Sequence, residues 1–326
     1  MINSQQSDAF FRKSCKKPEL SSRVVQRKEL KYFDLSWWPT SSSVLEASVI
    51  APLVFSFPML SRSSIALILF VCFNTSRADE TPFWAHALTS NKGPGTFATL
   101  ADINLGYEFG WSGIQAAKAD VRFYSPDRST LEIEAKGATS GLARTLFKLD
   151  VYQRAQENRT TLRPIQFMQE EHYRSETIKT NVTFSPNFVT GIREKIPADN
   201  PPKTTVFKFG PVFDLSTALL WIRSQPLRDG DTEQLVVWAS NAPYLATVRV
   251  VGREVLKVKG EEKNAIKLDL KLKGITKSME LKEHKLFKSG RGWLSDDNDR
   301  LPLRLEADIF IGYVYAELDS VRKKQD

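Results

Sequence analysis

From Leu301 onward, apolar side chains fall on every second position: Leu301, Leu303, Leu305, Ala307, Ile309, Ile311, Tyr313 and Tyr315. A period of two belongs to a strand with one buried face, because successive strand side chains point to opposite sides. Just upstream, Trp293 and Leu294 close another apolar run, and Ser295 to Asp299 separates the two. Asp and Asn bond to their own backbone and tolerate unusual φ/ψ, so this polar segment predicts a turn and the whole stretch an antiparallel hairpin. The same alternation is clearest at Ile266, Leu268, Leu270 and Leu272, which interleave with Lys267, Asp269, Lys271 and Lys273. Such a chain builds sheet with one wet face.

The rest of the chain repeats the pattern in shorter pieces. Ile103 to Trp111 alternates around Gly106 and Gly110, and glycine inside a strand marks a bend or bulge. Val121 with Phe123, and Leu131 with Ile133, give two strands around Ser125-Pro126-Asp127-Arg128. Leu162–Glu170 and Thr177–Phe184 read as polar strands. Thr190–Lys203, with Gly191, Pro197, Pro201 and Pro202, reads as a loop. Leu235–Trp238, Leu245–Val251 and Glu254–Val258 follow as strands, the last two divided by Gly252-Arg253. Gly141–Leu149 puts Leu142, Leu146 and Leu149 on one helical face but is too short to assign.

One helix stands out, over residues 214–224. Asp214 can cap it, Leu215, Ala218, Leu219 and Ile222 share a face, Leu220 and Trp221 widen that face, and Pro226 stops it. Arg223 suits the negative end of its dipole. A short helix that is apolar nearly all round is a buried one. Many antiparallel strands with a single such helix predict a mainly β fold: one curved antiparallel sheet, an open half-barrel, wrapped around the helix. The domain so defined covers residues 101–322, after a leader at 79–100 that contains Gly93-Pro94-Gly95.

The N-terminus points to export. Ile65 to Phe73 is unbroken apolar sequence, with Met59 and Arg62 before it and Ser76-Arg77-Ala78 after it. A basic start, a short apolar centre and small residues at the end describe a secretory signal peptide over 59–78, cut between Ala78 and Asp79. The run is too short to span a membrane, which takes roughly 20 apolar residues. Residues 1–58 then read as a spurious extension from a mis-assigned start. The other reading is a genuine extension in which Val44–Phe57 helps anchor the chain to a membrane. The formal charge is +8, but the first 78 residues hold ten Lys/Arg and five Asp/Glu of the chain's 46 and 38. That leaves 36 basic and 33 acidic residues beyond them, so the exported part is nearly balanced and makes no case for nucleic acid. Cys15 and Cys72 both precede Asp79. The exported part therefore has no disulfide and no cysteine nucleophile.

Several motifs, in order, carry a family resemblance. They are Phe109-Gly110-Trp111-Ser112-Gly113, Gly141-Leu142-Ala143-Arg144, the run Phe213 to Leu227, Val251-Gly252-Arg253-Glu254 and Trp293-Leu294-Ser295-Asp296-Asp297. The set resembles the bacterial exported family catalogued as domain of unknown function 3108, over roughly residues 100–320. That resemblance implies an open half-barrel similar to lipoprotein carriers, an envelope location and an apolar ligand. It brings no catalytic residues.

Catalytic chemistry is hard to find. His86, His172 and His284 lack a second ligand at metal spacing, and no serine elbow, phosphate loop or dinucleotide fingerprint occurs. Ser112 lies between Trp111 and Gly113 as a turn serine. Asp296, Asp297 and Asp299 lack the glycine and distant glutamate of a calcium loop. Trp111, Trp221, Trp238, Tyr244 and Trp293 are core residues by default, yet a half-closed sheet lets some of them line its mouth. Arg223 and Arg253 are the accompanying polar candidates. The sequence predicts a periplasmic, non-enzymatic protein without a cofactor that is not membrane-spanning once mature. It would bind a lipid, an apolar group or an envelope protein partner between helix and sheet. A purely structural envelope module, or a cell-wall-acting enzyme, are the alternatives.

Overall fold

The computed structural model describes residues 81–96, 102–239, 241–285, 287–309 and 312–323. The upstream extension, the signal peptide and the cleavage residues Ala78 and Asp79 lie outside them. Residues 82–95 form a leader with two 3-10 turns, Phe83–Ala87 and Thr89–Asn91. The strands then come in quick succession: β1 (Ile103–Trp111), β2 (Ile114–Tyr124) and β3 (Thr130–Thr139), a six-residue helix α1 (Gly141–Leu146), then β4 (Leu149–Asn158), β5 (Arg163–Tyr173), β6 (Thr177–Ser185), β7 (Phe188–Ile196) and β8 (Lys203–Phe207). The second half begins with β9 (Val212–Asp214) and the central helix α2 (Leu215–Ser224). It continues with β10 (Thr232–Ala239), β11 (Ala242–Val258), β12 (Glu261–Ile275), β13 (Leu281–Glu283), β14 (Ser289–Ser295), β15 (Pro302–Asp308) and β16 (Tyr313–Lys323).

All of these strands belong to one sheet in the order β8-β7-β6-β5-β4-β3-β2-β1-β16-β15-β14-β12-β11-β10-β9, with β13 beside β12. Pairing is antiparallel throughout except for the short parallel β9–β10 contact. Two meanders are thus joined where β1 meets β16. The hairpin expected around residues 295–299 is present as β14 and β15, and the one-faced strand at 266–272 lies inside β12.

Five details differ from the sequence reading. Residues 190–203 are not a loop: β7 runs to Ile196 and β8 starts at Lys203, so the prolines sit in the connection alone. Gly191 is within β7 because a Cβ there would collide with the Asn241 side chain and press on the Trp238 ring. Strand β4 was not anticipated, since its buried positions include Gln153 and Glu157 and the apolar alternation is lost. The run from Leu301 to Tyr315 is two strands, interrupted by a turn in which Ile309 N–H donates to Gly312. The segments at 245–251 and 254–258 are one strand, β11, with a bulge between Val250 and Gly252 that re-aims its second half. Helix α1 ends at Leu146 and leaves Leu142 and Leu146 exposed, while Leu149 is buried in β4.

The sheet curls around α2. Trp221 and Phe213 (each fully buried, rings 6.1 Å apart) lie in one core with Leu105 of β1, Leu131 of β3, Val248 of β11, Ile266 of β12 and Leu303 of β15. Strands from both meanders therefore meet on the helix, as the half-barrel reading requires.

The two ends of the sheet also overlap. β10 has two buried faces: Leu235 and Val237 point to the helix core, whereas Val236 and Trp238 enter a second core with Val182, Val189 and Phe207 of β6 to β8. Trp238 lies 6.5 Å from the Phe207 ring, and Asn241 Nδ2 donates to Thr205 Oγ1 at 3.0 Å. The leader covers this seam, with Trp84, Ala85 and Leu88 in the second core and Trp84 Nε1 donating to Met279 O at 2.7 Å. The Thr89 hydroxyl donates to Gln234 O and accepts from Gln234 N.

Trp221→Ala should cost about 3–5 kcal/mol, the range for deleting a large aromatic from a core that cannot collapse. Leu142→Ala on the exposed face of α1 should stay within about 0.5 kcal/mol. Urea unfolding followed by tryptophan fluorescence measures both; equal effects would contradict a helix seated at the centre of the bowl.

Candidate functional site

The central helix is fixed at both ends by unlike chemistry. At its start, Asp214 Oδ1 accepts from Ser216 N (2.8 Å) and Thr217 N (3.2 Å), and Oδ2 accepts from the Thr217 hydroxyl. This is the cap that the sequence predicts, with a carboxylate satisfying N–H groups that have no partner within the helix. At its end, two arginines exchange contacts. Arg223 Nε donates to Arg300 O at 2.6 Å and its other nitrogen to Asp299 O. Arg300 in turn donates to Arg223 O (3.0 Å), Gln225 O and Pro226 O (3.0 Å). Both guanidiniums are buried, and burial lowers the Arg223 pKa to about 10.

The turn that supplies these carbonyls is built by Asp297. Its Oδ1 accepts from Ser295 Oγ, Asp299 N and Arg300 N at 2.7, 2.9 and 2.9 Å. The Asp-rich turn thus holds its own backbone in the shape that Arg223 needs. The sequence placed Arg223 at the helix end but gave no sign that Arg300, seven residues beyond Trp293, would be its counterpart.

The other anticipated residues are scattered rather than gathered. Trp221 is sealed inside the first core and Trp238 inside the second. Trp293 Nε1 donates to Glu254 Oε1 at 2.6 Å, with the Lys267 ammonium 5.7 Å from its ring centre. Arg253 is exposed, paired with Asp229, and donates to Leu227 O at 2.9 Å. Trp111 is half-buried at the end of β1, beside the tight turn where Ser112 and Gly113 both have positive φ (47° and 88°). That geometry is the two-residue hairpin turn, which accounts for the serine. Tyr244 is half-buried, 5.3 Å from the His284 ring, and burial raises its pKa.

Of the aromatic set, Tyr244 and Trp111 are the half-buried members, and Tyr244 packs against the edge of the helix core. Burial of the inward-facing positions changes along single strands. On β1, Ile103 and Leu105 are buried but Tyr107 and Phe109 are half-buried; on β2, Phe123 is buried but Val121 and Ala119 are not. On β12, Ile266 and Leu268 are buried and Leu270 and Leu272 are half-buried. The register aligns these changes: Ala119 pairs with Tyr107 and with Gly137. One end of the bowl is therefore packed on the helix. Toward the other end the inward-facing residues are half-buried, small ones on β2 and β3 and larger ones on β1 and β12, with Tyr107, Val121, Leu270 and Leu272 packed against the edge of the helix core. Tyr107 Oη donates to Pro302 O at 2.9 Å, and its phenol is buried where the Arg223 charge acts on it.

Between these regions β4 and β5 place polar groups on the inner wall. Gln153 Nε2 donates to Gln169 Oε1 at 2.7 Å, and both side chains are buried. Closer to the helix, Glu157 is fully buried with neither carboxylate oxygen hydrogen-bonded among the described residues. Burial, reinforced by the charge of Asp214, holds the Glu157 carboxyl well above the usual carboxylate range. Burial likewise raises Asp214, against the opposing bonds from Thr217 and Ser216. Among the described residues no group of three or more His, Cys, Asp or Glu is placed to hold a metal ion, and no helix is long and apolar enough to cross a membrane.

The family model described as "Protein of unknown function (DUF3108)" matches residues 106–319. No curated protein matches the chain. Solved structures similar to it include a beta-barrel-like protein of domain of unknown function DUF1849 from Brucella abortus, with 6% identity and a TM-score of 0.46, covering 70% of this chain and all of the other. A provisionally named lipoprotein from Parabacteroides distasonis has 10% identity and a TM-score of 0.31, covering 71% of this chain and all of its own. A provisionally named exported protein with a YmcC-like fold from Bacteroides fragilis has 9% identity and a TM-score of 0.28, with the same coverage.

Two measurements follow from the geometry. Arg300→Leu strips three carbonyls of their donor, two of them on the buried residues Arg223 and Gln225, and should cost about 3 kcal/mol, whereas Arg253→Ala, at an exposed pair, should cost less than about 1 kcal/mol; chemical denaturation of both variants tests the ranking. For Glu157, folding raises the pKa, so the folded chain keeps a proton that the unfolded chain releases. Stability then falls as pH rises from the ordinary glutamate range to the folded pKa. Glu157→Gln should remove that fall and be the more stable protein at about pH 7, with the two converging near about pH 4. Parallel pH series of melting temperature would reveal it, and curves that stay parallel would count against the buried acid.

Proposed function

The chain belongs to the DUF3108 family, and from that premise we propose that it is an exported, non-enzymatic binding protein of the cell envelope. Its ligand in this reading is a lipid or another apolar group, or an apolar partner segment, held in the open end of the half-barrel. The observation that carries it is the change along single strands from buried to half-buried inward-facing residues, Leu105 against Phe109 and Leu268 against Leu272. Apolar side chains left accessible on a concave wall gain about 25 cal/mol for each Å² covered by a ligand. Trp221 and Arg223 then serve as packing and as a bolt for the helix, and the binding wall passes to Tyr107, Phe109, Ala119, Tyr244, Leu270 and Leu272.

A non-enzymatic role is supported by the state of the polar side chains. Ser112 is taken up by its turn, Asp297 by its own backbone, and His172 lies on the surface beside Glu170 and Thr177. The envelope location rests on the signal-peptide pattern at 59–78. A structural module without a ligand is the second reading, favoured by the helix-packed half of the interior.

Protein extracted from envelope fractions and kept native should carry a co-purifying amphiphile detectable by mass spectrometry. Ala119→Trp, which adds a large ring on the wall beside Tyr107, should abolish that cargo and leave the melting temperature within a few degrees. Bare wild-type protein, or cargo retained by the tryptophan variant, would favour the structural module.

A further inference from the structure

The two fastenings of α2 differ in how they respond to protons. The C-terminal one joins guanidiniums to backbone carbonyls only: Arg223 to Asp299 and Arg300, and Arg300 to Arg223, Gln225 and Pro226. Neither donor nor acceptor titrates near neutral pH. At the N-terminal one, two buried carboxyl groups oppose each other, Asp214 on the helix cap and Glu157 on the strand β4 that packs against the helix. Asp214 is satisfied by Ser216 and Thr217, whereas both Glu157 oxygens are buried without a hydrogen-bond partner among the described residues.

We propose that Glu157 and Asp214 form a proton-operated latch between β4 and the first turn of α2, with the arginine pair at the far end acting as the pivot. While Glu157 carries its proton, one of the two groups is neutral and the turn can lie against the wall. Loss of that proton leaves two like charges in a dry space, where a buried, unpaired carboxylate is costly. Moving the first turn of α2 away from β4 lets water reach both groups. The pivot stays, because none of its bonds depends on a carboxyl side chain.

Among the described residues no cation is bonded to Glu157. On β3, Glu132 is bound by Arg154 and Gln156 and accepts from Tyr124, while Leu131 faces the helix core. On β5, Arg163 donates to Ser90 O at 2.5 Å and lies over the Phe213 ring at 4.8 Å, while its Nη1 is buried without a hydrogen-bond partner among the described residues. The helix itself carries no ionisable side chain between Asp214 and Arg223. Among the described residues, Asp214 is the charge that raises the Glu157 carboxyl beyond what burial does.

Swinging the first turn would uncover Leu131, Ala155 and Phe213, extending the proposed binding wall. That use in taking up or releasing cargo rests on the binding role proposed above, whereas the motion itself needs no cargo.

Amide hydrogen exchange on the purified full chain, at about pH 5.5 and about pH 8 with rates corrected for intrinsic exchange, reads the motion directly. Peptides over 213–219 should lose at least about tenfold more protection at the higher pH than peptides over 220–226. Glu157→Gln should remove that difference, as should Asp214→Asn, which keeps a capping oxygen but drops the charge; Glu157→Leu serves if the glutamine variant does not fold. Equal loss across both halves of the helix, or an unchanged response in the folded variants, would overturn the latch. A normal exchange response in protein that never carries cargo would instead remove the binding role and leave the latch standing.

Discussion

The reciprocal bonding of Arg223 and Arg300 is what lets a short apolar helix end inside this sheet. The last four carbonyls of any helix lack partners within it, and in a buried site water cannot supply them. Here the side chain of Arg300 takes the carbonyls of Arg223, Gln225 and Pro226, and Arg223 returns the bond to the β14–β15 turn. The two residues are 77 apart in sequence, so the contact also closes the second meander onto its own helix. Removing either cation would leave the other's carbonyls exposed to an apolar surrounding, and the turn built by Asp297 would lose its reason to be so shaped.

Geometry then divides the interior. A ten-residue helix rises about 15 Å, while the nine residues of β1 extend about 30 Å and the seventeen of β11 more than that. With its C-terminus fixed at the 295–301 turn, α2 cannot cover the full height of the wall. The fully buried inward positions sit where the helix reaches, and the half-buried ones sit beyond it. Which inward positions are fully buried thus follows helix length and where the helix is bolted. Small inward residues such as Ala119, Ala135 and Gly137 keep the half-buried end from closing on itself.

The half-barrel and the helix bounds were legible because their signals are local. Alternation marks a strand with one buried face, and Asp214 and Pro226 mark where a helix begins and stops. β4 was missed since Gln153 and Glu157 break the apolar period on its inner face; a buried polar wall looks like an exposed one in sequence. Residues 190–203 misled for the opposite reason: Gly191 signals a loop locally but serves a close approach to Trp238, which lies 47 residues away. The sequence points to tryptophans for the mouth of the bowl, whereas Trp221 and Trp238 are packed in the cores and Trp293 is tied to Glu254. Which aromatic faces a lumen depends on helix length and strand register together, and neither is visible around one residue. Arg300 carried no local mark at all, because its partners are carbonyls from another part of the chain.

The overlap of the sheet's ends deals with a problem that closed barrels do not have. An open sheet presents two edges with unpaired backbone groups, which invite pairing with other chains. β9 is only three residues long, and it pairs in parallel with a β10 whose second face is covered by β6 to β8. Leader residues close what remains: Thr89 takes both the N–H and the C=O of Gln234, and Arg163 holds Ser90 O. Gly95 N–H donates to Ser224 Oγ, with its backbone so close to the Ser224 carbonyl that any side chain there would collide. The leader thus ties β5, β10, Met279 and the end of α2 to one another. The leader's share of these contacts lies upstream of the family match at 106–319, whereas the strands of the seam lie within it. A seam sealed by one strap of chain, next to a helix fixed firmly at one end, confines any opening of the bowl to the helix–wall contact rather than to the overlap.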